Sequence, residues 1–188
     1  MHYRVNVNLT DNDYFEFNKF VQFNAPAGKK NFTVARTIIS LLPFVVVLLH
    51  GISDGFNIEL LAKFILMIPM CVLLFFTFKP FLWFVTKTQI KAMMKKGPLY
   101  SSASCIEFYE DYLIEYTSQK QTQSAYSTMK DVFIVNSQIA YIFENAVSAI
   151  IVPASAFSSA QEWNGFVNFL SVKVGNITAV YTKNKNKR

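Results

Sequence analysis

The sequence predicts an α+β membrane protein: a two-helix transmembrane hairpin joined to an antiparallel β-meander that ends in a C-terminal amphipathic helix. Composition and pattern both favour this fold class. Hydrophobic residues make up 52% of the 188 residues and charged residues only 16%, against roughly 25% charged in a typical soluble domain. Most of the apolar excess lies between residues 37 and 85. After residue 98 the pattern changes to an alternation of period two, which is typical of half-buried strands.

Two apolar runs predict the hairpin. The first, TIISLLPFVVVLLHGIS, covers residues 37–53 without an acidic residue, lysine or arginine. The second, FILMIPMCVLLFFTF, covers only residues 64–78 between Lys63 and Lys79, and it reaches the length of a span if the Lys79 ammonium extends to the headgroups. Because a spanning helix needs about 17–25 mainly apolar residues, we predict transmembrane spans at 37–53 and 60–79. The alternative is a pair of buried helices in a soluble core.

Basic residues predict which way the hairpin faces. Between Arg36 and Lys79 the only lysine or arginine is Lys63, whereas lysines and arginines cluster before and after the two spans. The positive-inside rule therefore places both termini in the cytoplasm of a multi-pass cell-membrane protein. Lysine can extend its ammonium group to the headgroups, where tryptophan is also enriched. The predicted contacts with the membrane interface and lipid headgroups are Arg36, Lys79, Trp83, Lys87, Lys91, Lys95 and Lys96.

Residues 1–32 predict a strand followed by a helix. HYRVNVNLT alternates like a strand, and Thr10 with Asp13 three residues later matches a capping box at a helix start. We expect this helix either to pack on the sheet or to lie in the membrane interface. Pairing of the N-terminal strand with the same sheet is a hypothesis.

Residues 97–175 predict a cytoplasmic domain of short strands closed by a helix. CIEFYEDYLIEYTSQ indicates a hairpin with two possible registers. A three-residue loop, the register we predict, places Glu107 opposite Glu115 with both carboxylates solvated. A two-residue loop avoids this like-charge pair but places Glu115 among apolar side chains. Further strands follow up to Pro153, and Ser159 with Glu162 forms a second capping box before an apolar helical stripe.

These patterns divide the chain into five predicted segments. They are the N-terminal strand and amphipathic helix at 1–32, the hairpin at 33–86, a basic connector at 87–96, the strand domain at 97–175 and a basic tail at 176–188. The tail carries Lys183, Lys185, Lys187 and Arg188. It is interpreted either as a frayed, solvated end or as a further contact with anionic lipid.

No catalytic or metal-binding motif is found in the sequence. P-loop, GxSxG, HExxH and GxGxxG patterns are missing, and neither His2 nor His50 adjoins a plausible nucleophile. Cys71 and Cys105 lack the spacing of a zinc site and are predicted to be small buried hydrophobic residues. We therefore expect no enzyme activity, no cofactor and no metal. The basic residues are not interleaved with aromatic ones on one face, so nucleic-acid binding is not expected either.

The order of the segments resembles that of the YcxB-like membrane proteins. The residues that carry the resemblance are LTDNDYFEFN at the start, Tyr126 ahead of the segment 129–132, and IIVPASAF before the last helix. The resemblance covers nearly the whole chain. It implies a pleckstrin-homology-like (PH-like) C-terminal domain, in which a helix closes one end of a strongly bent antiparallel sheet, and a place in the bacterial inner membrane. It implies no reaction or ligand.

Three functions fit these observations. The first is a non-enzymatic integral membrane protein whose cytoplasmic PH-like domain binds a protein or peptide partner. The second is a sensor that responds to anionic lipid headgroups through the basic segments. The third is an oligomeric transport component, in which polar positions such as His50 line a helix bundle.

Overall fold

The computed structural model describes residues 1–55 and 57–181 and confirms the predicted α+β fold class. The helices are α1 (Asp11–Phe23), α2 (Pro26–Asp54), α3 (Ile58–Met94) and α4 (Ala160–Val174). The strands are β1 (Tyr3–Asn8), β2 (Ala103–Phe108), β3 (Tyr112–Thr117), β4 (Gln121–Ala125), β5 (Asp131–Val135), β6 (Ile139–Phe143), β7 (Ala149–Pro153) and β8 (Ile177–Val180). Contacts divide the chain into a strand unit, 1–17 together with the described residues from 100 onward, and a hairpin unit, 18–99.

The strand unit contains two four-stranded sheets. Their strand orders are β1-β2-β3-β4 and β7-β6-β5-β8. The N-terminal strand belongs to the first sheet, since β1 pairs antiparallel with β2 from Tyr3 opposite Phe108 to Asn8 opposite Ala103. The segment 97–175, predicted as the strand domain, therefore lacks one strand of its own first sheet.

One hydrophobic core joins both sheets to α4. Because side chains alternate along a strand, every second residue of β1, β2, β5, β6 and β7 points into this core. Helix α4 begins at the predicted capping box, where the Ser159 hydroxyl accepts a hydrogen bond from the Glu162 amide at 3.1 Å. The helix adds its apolar stripe of Trp163, Phe166 and Leu170. Side chains that are fully buried in the core include Val7, Ile106, Phe108, Leu113, Val132, Ile142, Val152, Phe166 and Leu170.

Helix α1 starts as the sequence predicts and covers part of the second sheet. The Asp13 carboxylate accepts hydrogen bonds from the Thr10 amide at 2.9 Å and the Thr10 hydroxyl at 2.7 Å. Farther along α1, the centre of the Phe17 ring lies 5.3 Å from that of the Tyr141 ring and 6.1 Å from that of the Phe143 ring. These contacts agree with the first of the two expectations for the N-terminal helix, packing on the sheet.

The predicted register of the β2–β3 hairpin is wrong. Ile106 lies opposite Glu115, and Phe108 lies opposite Leu113. The turn has two central residues, since the Tyr109 amide donates to the Tyr112 carbonyl oxygen at 2.9 Å. This register aligns two fully buried side chains and sends Glu107 and Glu115 to opposite faces of the sheet. Burial of Leu113 therefore outweighs the half-burial of Glu115.

The first residues of the predicted tail form a strand instead. Helix α4 ends before Gly175, whose φ of +76° is a left-handed conformation that favours glycine. The next residues become β8, which pairs parallel with β5. The basic residues of the predicted tail, Lys183, Lys185, Lys187 and Arg188, lie outside the described residues.

The hairpin unit consists mainly of two long helices that contact each other along one seam. Buried residues of α2 follow one face of the helix at intervals of eight, three, four and four positions, as in an antiparallel helix pair. They are Phe32, Ser40, Pro43, Val47 and Gly51. Both helices are long and apolar enough to cross a membrane, with mean hydropathy of 2.2 and 2.4. The predicted spans lie inside them, and α3 continues through Pro80 to Met94.

Candidate membrane interface

Three of the predicted interface residues lie in one cluster of cations and aromatic rings. The Arg36 guanidinium carbon is 4.0 Å from the centre of the Phe75 ring and 5.2 Å from that of Phe32. The Lys79 ammonium nitrogen is 5.1 Å from the centre of the Phe23 ring. Aromatic faces attract cations at such distances. We call this cluster the collar; its members are Lys19, Phe23, Phe32, Arg36, Phe75, Phe78, Lys79 and Trp83.

Ring-to-ring contacts connect the collar across the helices of the hairpin unit. The rings of Phe23 and Phe32 meet edge to face at 4.9 Å, and those of Phe32 and Phe78 stack at 5.8 Å. Trp83 lies 6.5 Å from Phe23, and the Lys19 ammonium nitrogen lies 5.8 Å from the centre of the Trp83 ring. Such aromatic pairs stabilise their arrangement beyond the area they bury. The collar is therefore a built cluster rather than a set of independent surface residues.

The collar lies one bilayer thickness from the helix ends at the linker. The stretch of α2 from Arg36 to Asp54 is about 27 Å long, and that of α3 from Ile58 to Lys79 is about 31 Å long, at 1.5 Å per residue. The hydrocarbon core of a bilayer is about 30 Å thick. Aromatic and basic residues concentrate at the edges of that core in membrane proteins. The collar therefore has the composition, and the distance from the linker, that are expected of residues at the edge of a hydrocarbon core.

Arg36 has a donor that the other collar residues do not satisfy. Its side chain is half-buried, and its Nε is fully buried without a hydrogen-bond partner among the described residues. A buried guanidinium donor left without an acceptor is costly, and phosphate oxygens are favoured acceptors for arginine.

The other predicted interface residues lie outside the collar. Lys87, Lys91, Lys95 and Lys96 are exposed on the last turns of α3 and just beyond them. Lys91 is about 18 Å farther along the helix than Lys79, at 1.5 Å per residue. Lys91 lies in the last turn of α3, where a cation is favourable for the helix dipole. The structure thus separates the predicted site into a collar and a distal basic end.

Sequence reasoning did not find five members of the collar. These are Lys19, Phe23, Phe32, Phe75 and Phe78. Phe32 lies four residues before Arg36, and Phe75 lies four before Lys79, so helical spacing was the signal that could have found them. No comparable signal marks Phe23, because it reaches Phe32 only through the corner between α1 and α2.

The outer face of the first sheet of the strand unit carries a second polar cluster. The Tyr109 hydroxyl donates to a Glu107 carboxylate oxygen at 2.8 Å, and this hydrogen bond raises the pKa of Tyr109 to about 12. The Arg4 Nε lies 3.6 Å from the other oxygen of the same carboxylate. The rings of Tyr109 and Tyr112 stack at 4.9 Å. The cluster therefore presents two stacked phenol rings and a paired carboxylate on this face of the sheet.

Two further carboxylates of the strand unit have shifted pKa values in opposite directions. Burial raises the pKa of Glu115. The hydrogen bond from Lys173, and a second contact with His2 at 2.6 Å, lower the pKa of Glu110. No group of three His, Cys, Asp or Glu residues suited to a metal ion occurs within residues 1–55 and 57–181.

The outer strands of the two sheets are the other candidate binding surfaces. In the first sheet β4 pairs only with β3, and its Gln121 and Gln123 side chains are exposed. In the second sheet β7 and β8 are the outer strands. An outer strand presents main-chain donors and acceptors that can pair with an extended segment of another chain.

Comparison with known proteins found no match: no family model, no curated protein and no solved structure is similar to this chain. The resemblance to the YcxB-like membrane proteins therefore stays a prediction. The class of protein that the described residues define is a helix hairpin suited to a membrane, combined with a two-sheet strand unit.

Proposed function

We propose that this chain is an integral protein of a bacterial cell membrane that presents a PH-like interaction domain to the cytoplasm, where the domain binds a protein or peptide partner. Its hairpin crosses the bilayer twice, and both termini face the cytoplasm. The strand unit is the interaction domain. The protein is not an enzyme and acts by holding its partner at the membrane.

The pairing of β1 with β2 is the observation that carries this proposal. The two strands lie on either side of the hairpin in the sequence, yet they share a ladder from Tyr3 opposite Phe108 to Asn8 opposite Ala103. Chain segments that share a ladder lie on the same side of a membrane, so the helices between them cross it an even number of times. The excess of lysine after the second span favours the cytoplasmic side.

The layout of the strand unit supports the PH-like interpretation. Strands β1 to β4 form one antiparallel sheet, and β5 to β7 form the meander of the second. Helix α4 then contributes its apolar stripe to the core between them. The antiparallel strands followed by a helix agree with what the resemblance to the YcxB-like proteins implies, whereas the division into two sheets and the parallel strand β8 depart from it.

Photo-crosslinking in native membranes tests the proposed interaction. A photoreactive residue replaces Gln123 on β4 or Thr178 on β8, both of which are exposed at outer strands of the sheets. Phe76 serves as the matched control because its side chain is exposed on the apolar surface of α3. We expect an adduct of reproducible mass from at least one of the two strand positions and none from the control. Two strand positions that behave like the control would rule out partner binding through these edges.

A second function, response to anionic lipid, is favoured by the collar. Its cations lie on aromatic rings about one hydrocarbon thickness from the linker end of the two long helices. A juxtamembrane cation contributes on the order of 1 kcal/mol of attraction to anionic lipid. In this function the lipid composition regulates the same membrane-held domain.

Lipid retention by the full-length protein tests this second function. In nanodiscs of mixed anionic and neutral lipid, Arg36→Gln should reduce the retained anionic lipid by about fivefold, which corresponds to roughly 1 kcal/mol. Lys63→Gln is the matched control, because Lys63 is an exposed cation outside the collar. Equal retention by the two variants would exclude a lipid site at Arg36.

A further inference from the structure

Strand β8 differs from the other described strands in the way it joins its sheet. The other ladders within residues 1–55 and 57–181 are antiparallel, whereas β8 runs parallel to β5, with Val132 opposite Ile177. The Val132 amide donates to the Asn176 carbonyl oxygen at 3.0 Å, and the Asn136 amide donates to the Val180 carbonyl oxygen at 2.9 Å. Parallel pairing is slightly less stable per residue than antiparallel pairing.

The two strands of this ladder are buried to very different extents. In β5 the four residues 132–135 are all buried, whereas no side chain of β8 is fully buried. Thr178 and Ala179 are exposed, and Ile177 alone among the β8 residues packs against the core cluster. Main-chain hydrogen bonds therefore hold β8 in place more than side-chain packing does. Any extended segment can make the same main-chain bonds.

Removal of β8 would leave the rest of the fold in place. Helix α4 is held by Trp163, Phe166 and Leu170, which are buried in the core among side chains of both sheets. Between α4 and β8 lie only Gly175 and Asn176, and a glycine with a φ of +76° marks the end of the helix. This short connection can change direction without disturbing α4.

We propose that the edge of β5 is a binding site for an extended segment of a partner protein, and that β8 occupies this site until that segment replaces it. The inference rests on the proposed function and names the surface that performs it. Strand addition to a sheet edge takes affinity from main-chain bonds and specificity from alternate side chains. The partner segment resembles β8 itself: it is uncharged, strand-forming and parallel to β5, with an aliphatic side chain opposite Val132.

The occupied edge also explains why a weakly buried strand is kept. Without β8, the amides of Val132 and Asn136 on an otherwise buried strand would be left without the carbonyl partners they have here. Bare sheet edges promote non-specific pairing between chains. A strand of the same chain protects the edge and still yields to a better ligand. The site is therefore both protected and regulated by its own C-terminal strand.

A peptide with the sequence of residues 176–181, NITAVY, is the probe for this site. In a parallel ladder that begins with the observed Val132–Asn176 bond, the Thr178 amide faces β5. Thr178→Pro removes that donor and releases β8, whereas Thr178→Ala, the matched control, keeps it. The full-length T178P protein in detergent should bind the labelled peptide at least about tenfold more tightly than wild type or T178A, because β8 no longer competes. A probe with proline at its third position should not bind.

Several results would overturn the inference. A folded T178P protein that does not bind the peptide excludes the site, and so does equal binding by T178P and T178A. If added wild-type protein displaces the labelled peptide from T178P, the segment that binds the β5 edge comes from a second copy of this chain instead of another protein. If T178P does not fold, hydrogen exchange of the wild-type protein tests the inference instead. The Val132 and Asn136 amides should then exchange at least about tenfold faster than amides within the β5–β6 ladder. Equal protection would mean that β8 is a permanent strand.

The result separates this inference from the proposed function. An adduct from Gln123 on β4 together with no peptide binding at β5 refutes the inference alone, since the partner then uses the other sheet. Peptide binding to T178P without any native adduct from either strand supports the edge as a site and refutes the proposed partner in the membrane tested.

Discussion

The two units of this chain treat apolar side chains in opposite ways. In the strand unit the large ones face inward, and Ile106, Phe108 and Phe166 are fully buried. In the hairpin unit most of them face outward, and Leu66, Leu73 and Phe76 are each more than 60% exposed. Water is a poor solvent for such a surface, because each exposed apolar area costs free energy. The difference indicates that the two units fold in different solvents.

This contrast favours the membrane interpretation of the apolar runs over the soluble one. Buried helices of a soluble core would show their apolar residues covered on all sides. Helices α2 and α3 instead bury one narrow seam and expose the remaining apolar surface. A seam of this kind with an apolar exterior is typical of helices in lipid, where small residues such as Ser40 and Gly51 allow close contact.

The largest expected effect compares one phenylalanine from each unit. Phe166→Ala removes a ring that is 0% exposed and lies 4.9 Å from Phe108 and 5.5 Å from Tyr3. Truncation of such a core phenylalanine lowers the free energy of unfolding by about 3–5 kcal/mol. Phe76→Ala, the control, removes a ring that is 72% exposed and should change the stability of the strand unit by less than about 0.5 kcal/mol. Thermal unfolding in detergent measures both.

If Phe166→Ala and Phe76→Ala lowered the free energy of unfolding equally, the contrast between the two units would be wrong, because α3 would then be packed as a core helix. A small loss from Phe166→Ala would place the core of the strand unit elsewhere.

The next largest effect tests the solvent around the hairpin. Met70 and Met93 both lie on α3 and are 47% and 53% exposed, but Met70 is near the middle of the predicted span and Met93 is beyond its end. A central arginine disfavours membrane insertion by about 2.5–3.5 kcal/mol. Met70→Arg should therefore reduce the inserted fraction in an alkaline extraction assay, whereas Met93→Arg should not. Matching behaviour of the two variants would show that residue 70 does not face hydrocarbon.

The sequence was sufficient for the parts of the fold that depend on local pattern. The apolar runs lie inside the two long helices, and the capping pairs Thr10–Asp13 and Ser159–Glu162 mark two other helix starts. Period-two alternation located the strands because burial on one face leaves a direct trace in the residue order. These features need no knowledge of distant partners.

Features set by distant contacts could not be predicted in the same way. The β2–β3 register depends on the burial of Leu113 against the rest of the core, which outweighs the half-burial of Glu115. The pairing of β8 with β5 joins segments more than forty residues apart and has no signal in a four-residue strand. Gly28 is a further case, since an added Cβ would lie 1.8 Å from the Val21 carbonyl oxygen. Only the close approach of α1 and α2 explains that glycine.

The smallest expected effect concerns two carboxylates of the strand unit with opposite pKa shifts. Burial raises the pKa of Glu115, so the folded state favours its protonated form. Wild type therefore loses stability as pH rises through the pKa of this group. Glu115→Gln removes that loss and should stabilise the protein by no more than about 1 kcal/mol at pH 7, with the gain shrinking as pH falls.

Glu162 provides the control of opposite sign. Hydrogen bonds from the Ser158 hydroxyl at 2.6 Å and the Ser158 amide at 2.9 Å lower its pKa, so the ionised form stabilises the fold above the unfolded pKa. Glu162→Gln should lower the melting temperature at pH 7, and its difference from wild type should vanish as pH falls below the folded pKa. Melting curves of both variants across this pH range measure the two signs. If Glu162→Gln stabilised the protein at pH 7, the Ser158 hydrogen bonds would not favour the ionised form of Glu162. If Glu115→Gln destabilised it at pH 7, burial would not disfavour the ionised form of Glu115.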